Sequence, residues 1–336
     1  MDETYRAIQA VAPGRLQLTQ VPLRAPSPDQ VRIRVEACGV CHSDAATIEG
    51  QFPVLWPRTP GHEAVGRIDA LGSNVQGWQL GQRVGVGFLG GYCGYCEFCR
   101  AGDLVNCQHQ EYSGVHHDGG YAEVMLIKAS GLMSIPEQLS SVDAAPLLCA
   151  GLTTFGALRD APARAGDLVA ILGIGGLGHL AVQYARHMGF EVVAIARGGD
   201  KAELAKRLGA HHYIDSATGD PAAELRALGG AKLIVTTASG SDAVTSTFKG
   251  LRPGGTSLVL GVGGDVTTSS LDLVFGERKL EGSLTGNPAT GDATLRFSAL
   301  SGVSAMIETL PLERAAEAYA KMLAGKARFR MVLTMS

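Results

Sequence analysis

Four cysteines within fifteen residues, Cys93, Cys96, Cys99 and Cys107, constrain this chain more than any other feature. Their spacing, Cys-x2-Cys-x2-Cys-x7-Cys, suits a four-thiolate zinc site, because two-residue gaps let successive sulfurs turn inward onto one tetrahedral ion. The competing readings are two disulfides or four unrelated buried thiols, and neither requires this density. The chain supplies all four ligands, so no position is left for substrate. The site is therefore structural, and chemistry must be sought elsewhere.

At 336 residues the chain is too long for one ordinary core and suits two domains. Hydrophobic residues at 46% against charged residues at 18% indicate a globular fold. A net charge of -3, with acids and bases interspersed, argues against the basic face that nucleic acid would need. No run of about eighteen apolar residues exists to span a bilayer, so no membrane partner is expected. The start Met1-Asp2-Glu3 is acidic and lacks the apolar stretch of a signal peptide. Seven cysteines with metal-type spacing then point to a reducing, cytoplasmic setting.

The first half reads as β-rich. Residues 31–37 alternate apolar and charged side chains, and residues 65–71, 83–86 and 121–127 are further short strands bounded by glycine-rich turns. The character changes near Pro146. An apolar helix is expected over 147–158, then strands at 168–172, 192–196, 213–214, 233–236 and 257–261 alternate with helices at 177–188, 201–208, 221–228 and 243–249. Continuous apolar strands separated by helices mean a parallel sheet covered on both faces. Helices at 295–300 and 312–323 and a strand at 330–334 follow, and they are expected to fold back onto the first domain.

Gly173-Ile174-Gly175-Gly176-Leu177-Gly178 matches G-x-G-x-x-G directly after an apolar strand and at the start of a helix. In that setting the first glycine makes the turn, the second admits a pyrophosphate, and the third lets helix and strand pack closely. The helix N-terminus adds free N–H groups and the positive end of its dipole. A dinucleotide cofactor, NAD(H) or NADP(H), is the expected ligand. The second strand ends Ala196-Arg197-Gly198-Gly199-Asp200, without the acid that would bind a ribose 2′-hydroxyl at its end. Arg197 suits a 2′-phosphate, yet it also suits adenine stacking, and Asp200 lies close by; the phosphate preference stays open.

Cys41, His62 and Cys149 each have a plain reading as an isolated residue: half of a Cys38/Cys41 redox pair, a hydrogen-bonded core histidine, and a small hydrophobe. Together they form a Cys2His set, which leaves a fourth position for water or substrate as a catalytic zinc requires.

With Gly61-His62-Glu63-x-x-Gly66, the four-cysteine stretch and the glycine-rich turn occurring in that order, the whole chain resembles the zinc-dependent alcohol dehydrogenases of the medium-chain dehydrogenase/reductase superfamily. The resemblance implies an α/β protein. A GroES-like β-barrel catalytic domain would span residues 1–149, with 288–336 returning to it, and a Rossmann doubly wound parallel sheet would span 150–287. It implies two zinc ions per chain, one held by the four-cysteine lobe and one by Cys41, His62 and Cys149, with Glu63 as an alternate ligand. Ser43 would take the alcohol proton, and Asp44 would orient a ligand imidazole. His42, Thr153 and Arg330 match cofactor-contacting positions, as do Gly173, Gly175, Gly176, Leu177 and Gly178. A homotetramer is also implied.

One position departs from the pattern. Where many members carry a histidine that finishes the proton relay, this chain has Ala46, leaving water or Glu49 for that step. The implied reaction interconverts small-molecule primary alcohols and aldehydes, aliphatic or aromatic, by hydride transfer to or from the nicotinamide. Phe52, Trp56 and Phe88 are candidates to wall the substrate pocket, with Tyr121 a weaker one. A polyol or formaldehyde-type dehydrogenase on the same scaffold is the alternative. A zinc-free quinone or enone reductase would lack Cys41, His62 and Cys149.

Overall fold

The computed structural model describes residues 3–335. Its chain divides into two units by contact, one comprising residues through Leu152 together with those from Thr285 on, the other Thr153–Leu284. No single helix among the described residues is long and apolar enough to cross a membrane.

The first unit opens with β1 (Thr4–Ala12) and β2 (Arg15–Pro22), a hairpin absent from the sequence-based expectations. There follow β3 (Gln30–Val40), β4 (Ala64–Leu71), β5 (Arg83–Val86), β6 (Val124–Lys128) and β7 (Leu132–Ser134). The second unit carries β8 (Leu168–Leu172), β9 (Glu191–Ala196), β10 (His212–Asp215), β11 (Ala231–Thr236), β12 (Leu251–Val259) and β13 (Lys279–Gly282). The chain then returns to the first unit with β14 (Ile307–Pro311) and β15 (Arg330–Thr334).

In the first unit β15 pairs antiparallel with β3, bringing a late strand and an early one into one seven-stranded sheet ordered β14-β15-β3-β4-β5-β7, with β6 also on β3, while β1 and β2 pair as a separate hairpin. This is how the last segment rejoins the first domain. Val31, Ile33 and Val35 of β3 point into the core beside Ile68, Val84, Val86, Met125, Ile127 and Leu333, while the intervening Arg32 and Arg34 clamp Asp69 at 2.8 Å each. The period-2 pattern thus splits into a buried face and an ion-paired face.

The second unit is a six-stranded parallel sheet ordered β10-β9-β8-β11-β12-β13. The order reverses between β8 and β11, and in sheets of this kind ligands bind beyond the carboxyl ends of the strands at that switch point. Leu168–Leu172 is buried throughout, as a central strand covered on both faces must be. β13, with the exposed sequence Lys-Leu-Glu-Gly, is the sixth strand and was not expected.

Three expectations need correction. The helix expected over 147–158 is interrupted at Cys149, whose φ of -129° and ψ of -70° separate a 3-10 turn Ala145–Leu148 from the helix Ala150–Asp160. The helix expected to start at Leu312 begins as a 3-10 turn and becomes α-helical only over Ala315–Leu323. Tyr121, read as the start of a strand, lies outside β6.

Candidate metal centre

The four-cysteine segment folds into a small lobe whose sulfurs lie within 4.8 Å of one another. Backbone N–H groups turn inward onto them: Cys96 N lies 3.4 Å from Cys93 Sγ, and Cys99 N lies 3.5 Å from Cys96 Sγ. The second of these caps the short helix Glu97–Arg100. Such N–H donors favour thiolate, and Cys96 is lowered to about 6 by the amides of Cys99 and Gln108. None of the seven cysteines is in a disulfide. The local core consists of Cys96, Cys99 and Cys107 with Tyr92, Cys93 and Leu104 against them.

The second cluster is assembled from distant segments. Cys41 follows the end of β3, His62 and Glu63 immediately precede β4, and Cys149 sits at the helix interruption. Their donor atoms also lie within 4.8 Å of one another, with Cys41 Sγ 3.9 Å from Cys149 Sγ. His62 is buried, and its Nδ1 lies 2.9 Å from Asp44 Oδ1. Its Nε2 is buried without a partner. A buried ring nitrogen left bare beside two thiols is costly in an apoprotein and fits a metal ligand. Two sulfurs, one imidazole nitrogen and a nearby carboxylate are the donor chemistry that a borderline-soft ion such as zinc takes.

Charge in this cluster is tightly coupled. Sharing a proton with Cys149 lowers the Cys41 thiol well below its usual range, and the Cys149 thiol is correspondingly raised. Burial opposes a charged His62, yet Asp44 and Cys41 outweigh it and raise the imidazole. Glu63 is fully buried, and burial pushes its carboxyl up to about 7 against the pull of Arg330. Arg330 itself is buried and ion-paired with Glu63 Oε1, while Glu63 Oε2 has no partner. A Cβ on residue 39 would come 1.8 Å from that oxygen, so Gly39 is required where Glu63 folds beneath β3.

The remaining candidates are placed as follows. His42 and Ser43 are exposed on the 3-10 turn His42–Asp44, whereas Ala46 is buried and offers no relay group. Glu49 accepts from Tyr319 Oη at 3.1 Å, which ties its carboxylate to the helix Ala315–Leu323. Phe88 stands edge-on to His62 at 5.1 Å and stacks on Tyr112 at 4.7 Å. Phe52 is 6.5 Å from Tyr112, while Trp56 lies against Gly50 and its Nε1 is 3.3 Å from Thr47 O. Tyr121, weighed as a pocket aromatic, is instead fully buried with its hydroxyl 2.8 Å from Asp44 Oδ2. Tyr112 went unnoticed in the sequence because it lies in an irregular loop with no periodicity to single it out.

In the second unit Gly173 has a φ of +94°, and a Cβ on Gly178 would sit 1.7 Å from the Gly173 carbonyl oxygen. Around Gly175 there is open space, and no side chain caps the helix Gly178–His187 behind Leu177. That combination leaves amides and room for an anion. Thr237 Oγ1 lies 2.8 Å from the Gly173 oxygen and holds the loop from β11, a contact the sequence reading missed. Thr153 is buried. Arg197 is exposed just beyond β9, where Asp215 accepts from Gly198 N at 2.7 Å and from Ala217 N at 2.9 Å.

A discontinuous β unit with two thiol clusters, joined in sequence to a doubly wound sheet with a glycine-rich first turn, defines a two-domain nucleotide-dependent dehydrogenase. Comparisons with known proteins make the class specific. Residues 27–137 match the family model described as the alcohol dehydrogenase GroES-like domain, and residues 176–300 match that of the zinc-binding dehydrogenases. Alcohol dehydrogenase notN from Aspergillus sp. (strain MF297-2) is 42% identical, covering 100% of this chain and 99% of the relative. An alcohol dehydrogenase from Geobacillus stearothermophilus is 39% identical over 95% of this chain and 96% of its own. The structure of a cinnamyl alcohol dehydrogenase from Sorghum bicolor superposes with a TM-score of 0.90 at 28% identity, covering 99% of this chain and 98% of that one. The chain belongs to the zinc-type medium-chain alcohol dehydrogenases and is an alcohol oxidoreductase.

Proposed function

We propose that this enzyme interconverts primary alcohols and aldehydes, aliphatic or aromatic, by hydride transfer to or from NAD(P)(H), with two zinc ions per chain. The observation that carries the reading is the bare, buried Nε2 of His62 aimed among Cys41, Cys149 and Glu63. Zinc held by Cys41, His62 and Cys149 would act as a Lewis acid toward the substrate oxygen. The chain's own residues supply the rest. Ser43, two residues beyond Cys41, takes the hydroxyl proton and passes it on to water or to Glu49, since Ala46 offers no base. Glu63 is the alternate ligand, with Arg330 balancing its charge. Cys93, Cys96, Cys99 and Cys107 hold the second zinc and brace their lobe.

The glycine-rich turn receives the cofactor pyrophosphate, with His42 and Thr153 as further cofactor contacts. For the adenosine end we favour a 2′-phosphate. Arg197 is exposed just beyond β9, a strand end that carries no acid for a ribose 2′-hydroxyl, and this supports the assignment. Phe88, backed by Tyr112 and Phe52, forms an aromatic wall beside His62, and this supports acceptance of aromatic substrates; Trp56 is assigned to the outer rim. Leu271 and Val274 of the short helix Ser270–Val274, with Phe275 just past its end, expose apolar surface that supports self-association, with a homotetramer as the proposed state. Seven unpaired cysteines suit a cytoplasmic enzyme.

One experiment tests the core of this. Steady-state rates with NADPH and NADH across aliphatic and aromatic aldehydes should show reduction with a preference for NADPH, on a sample containing close to two zinc ions per chain. Full activity at one zinc per chain would sink the two-site reading, and a preference for NADH would sink the Arg197 assignment.

A further inference from the structure

Asp44 is the hub beneath the Cys41–His62–Cys149 cluster, and it has a second attachment besides His62. Its Oδ1 holds His62 Nδ1 at 2.9 Å. Its Oδ2 accepts from the backbone amide of Cys41 at 2.9 Å and from the hydroxyl of Tyr121 at 2.8 Å. Asp44, His62 and Tyr121 are respectively 3%, 1% and 0% exposed, so these bonds are shielded from bulk solvent. A carboxylate bonded at one oxygen only can swing about its bond to Cβ. Of the two donors on Oδ2, the Cys41 amide belongs to the same turn as Asp44 and moves with it, so it is the Tyr121 hydroxyl that ties this oxygen to another segment and keeps the imidazole held by Oδ1 in one tautomer and one orientation.

Tyr121 is itself held rigidly. Its N–H donates to Pro60 O at 3.0 Å, and its carbonyl accepts from Ile8 N at 2.8 Å. Its ring fills the space beside residue 61, where a Cβ would meet Tyr121 Cδ1 at 2.4 Å; Gly61, with φ of +102°, is the residue before His62. The same tyrosine therefore fixes the backbone that delivers His62 and the carboxylate that orients it.

We infer that Tyr121 is a positioning residue for the metal ligand His62, acting through Asp44 to hold Nε2 toward the metal. The inference rests on the metal site proposed above, and its test separates the two. In the full-length holoenzyme, Tyr121→Phe keeps the ring and removes only the hydroxyl. Zinc at the Cys41–His62–Cys149 site should bind about 10- to 100-fold more weakly, while zinc in the four-cysteine lobe is retained. Cobalt substituted at the weaker site should show a shifted visible absorption band. A tyrosine that merely fills space would leave both affinity and spectrum at wild-type values, and that result would overturn the inference. His62→Ala serves as the control: if it retains the second zinc, the metal-site reading fails instead. If Tyr121→Phe does not fold, the unmodified protein still decides the matter. The hydroxyl proton of Tyr121 should give a slowly exchanging downfield proton resonance that moves when the site is stripped of zinc. An unmoved resonance would overturn the inference as well.

Discussion

The two thiol clusters are built on opposite plans. The lobe takes its four thiols from residues 93–107, and its own backbone amides turn toward the sulfurs. The other cluster takes its two cysteines from positions 108 residues apart and meets only where β3, the loop before β4 and the break at Cys149 converge. A local site can brace a loop but cannot report on the fold. An assembled site exists only when the fold does, and it is the one that carries a bare imidazole nitrogen and a buried polar network. Removing a ligand from each should therefore have different consequences.

The largest expected effect is at the assembled site. Cys149→Ala removes one of three proposed zinc ligands and should lower kcat/KM by about a thousandfold or more, since a metal Lewis acid supplies several kcal/mol to such reactions. Zinc analysis should fall from near two to near one per chain. A Cys149→Ala enzyme with wild-type activity and zinc content would remove the functional distinction between the clusters.

Cys107→Ser reverses the pattern. Zinc should again fall to near one, but the loss should appear as stability, on the order of 4 kcal/mol by denaturant unfolding, as is usual when a structural metal is lost. Activity per folded molecule should stay within about tenfold of wild type, a change of about 1.4 kcal/mol in barrier. If the folded variant were inactive, the lobe would have to be given a part in the chemistry.

The same contrast decides what could be read without coordinates. The lobe was plain from spacing alone, as was the parallel sheet, whose strands such as Leu168–Leu172 are continuous apolar runs. Cys41, His62 and Cys149 could be named only in combination with a family pattern, because no short-range signal links residues so far apart. The hairpin β1–β2 and the edge strand β13 escaped because their partly exposed residues alternate weakly, and pairing rather than pattern makes them strands. The break at Cys149 escaped for a related reason: nothing in Leu147-Leu148-Cys149-Ala150 opposes a helix, and tertiary placement of the thiol overrides local propensity. Tyr121 could be read as an aromatic near the site, but its partner Asp44 lies 77 residues earlier.

A smaller effect sharpens the comparison through pH, because only the assembled cluster buries a carboxyl. In the metal-free chain burial raises Glu63 from 4.5 to about 7. The folded state then holds this proton more tightly than the unfolded chain does. Glu63's contribution to stability is therefore fully present below about pH 4.5, declines as pH rises through the window to about 7, and is lost above it. Glu63→Gln is neutral at every pH and should remove that slope. Thermal melting of the chelator-treated wild-type and Glu63→Gln proteins across this window makes the measurement, and treating both alike cancels the contribution of the stripped lobe. Equal pH slopes would mean that Arg330 holds Glu63 ionised throughout, and the buried pair would then be a fixed brace like the lobe.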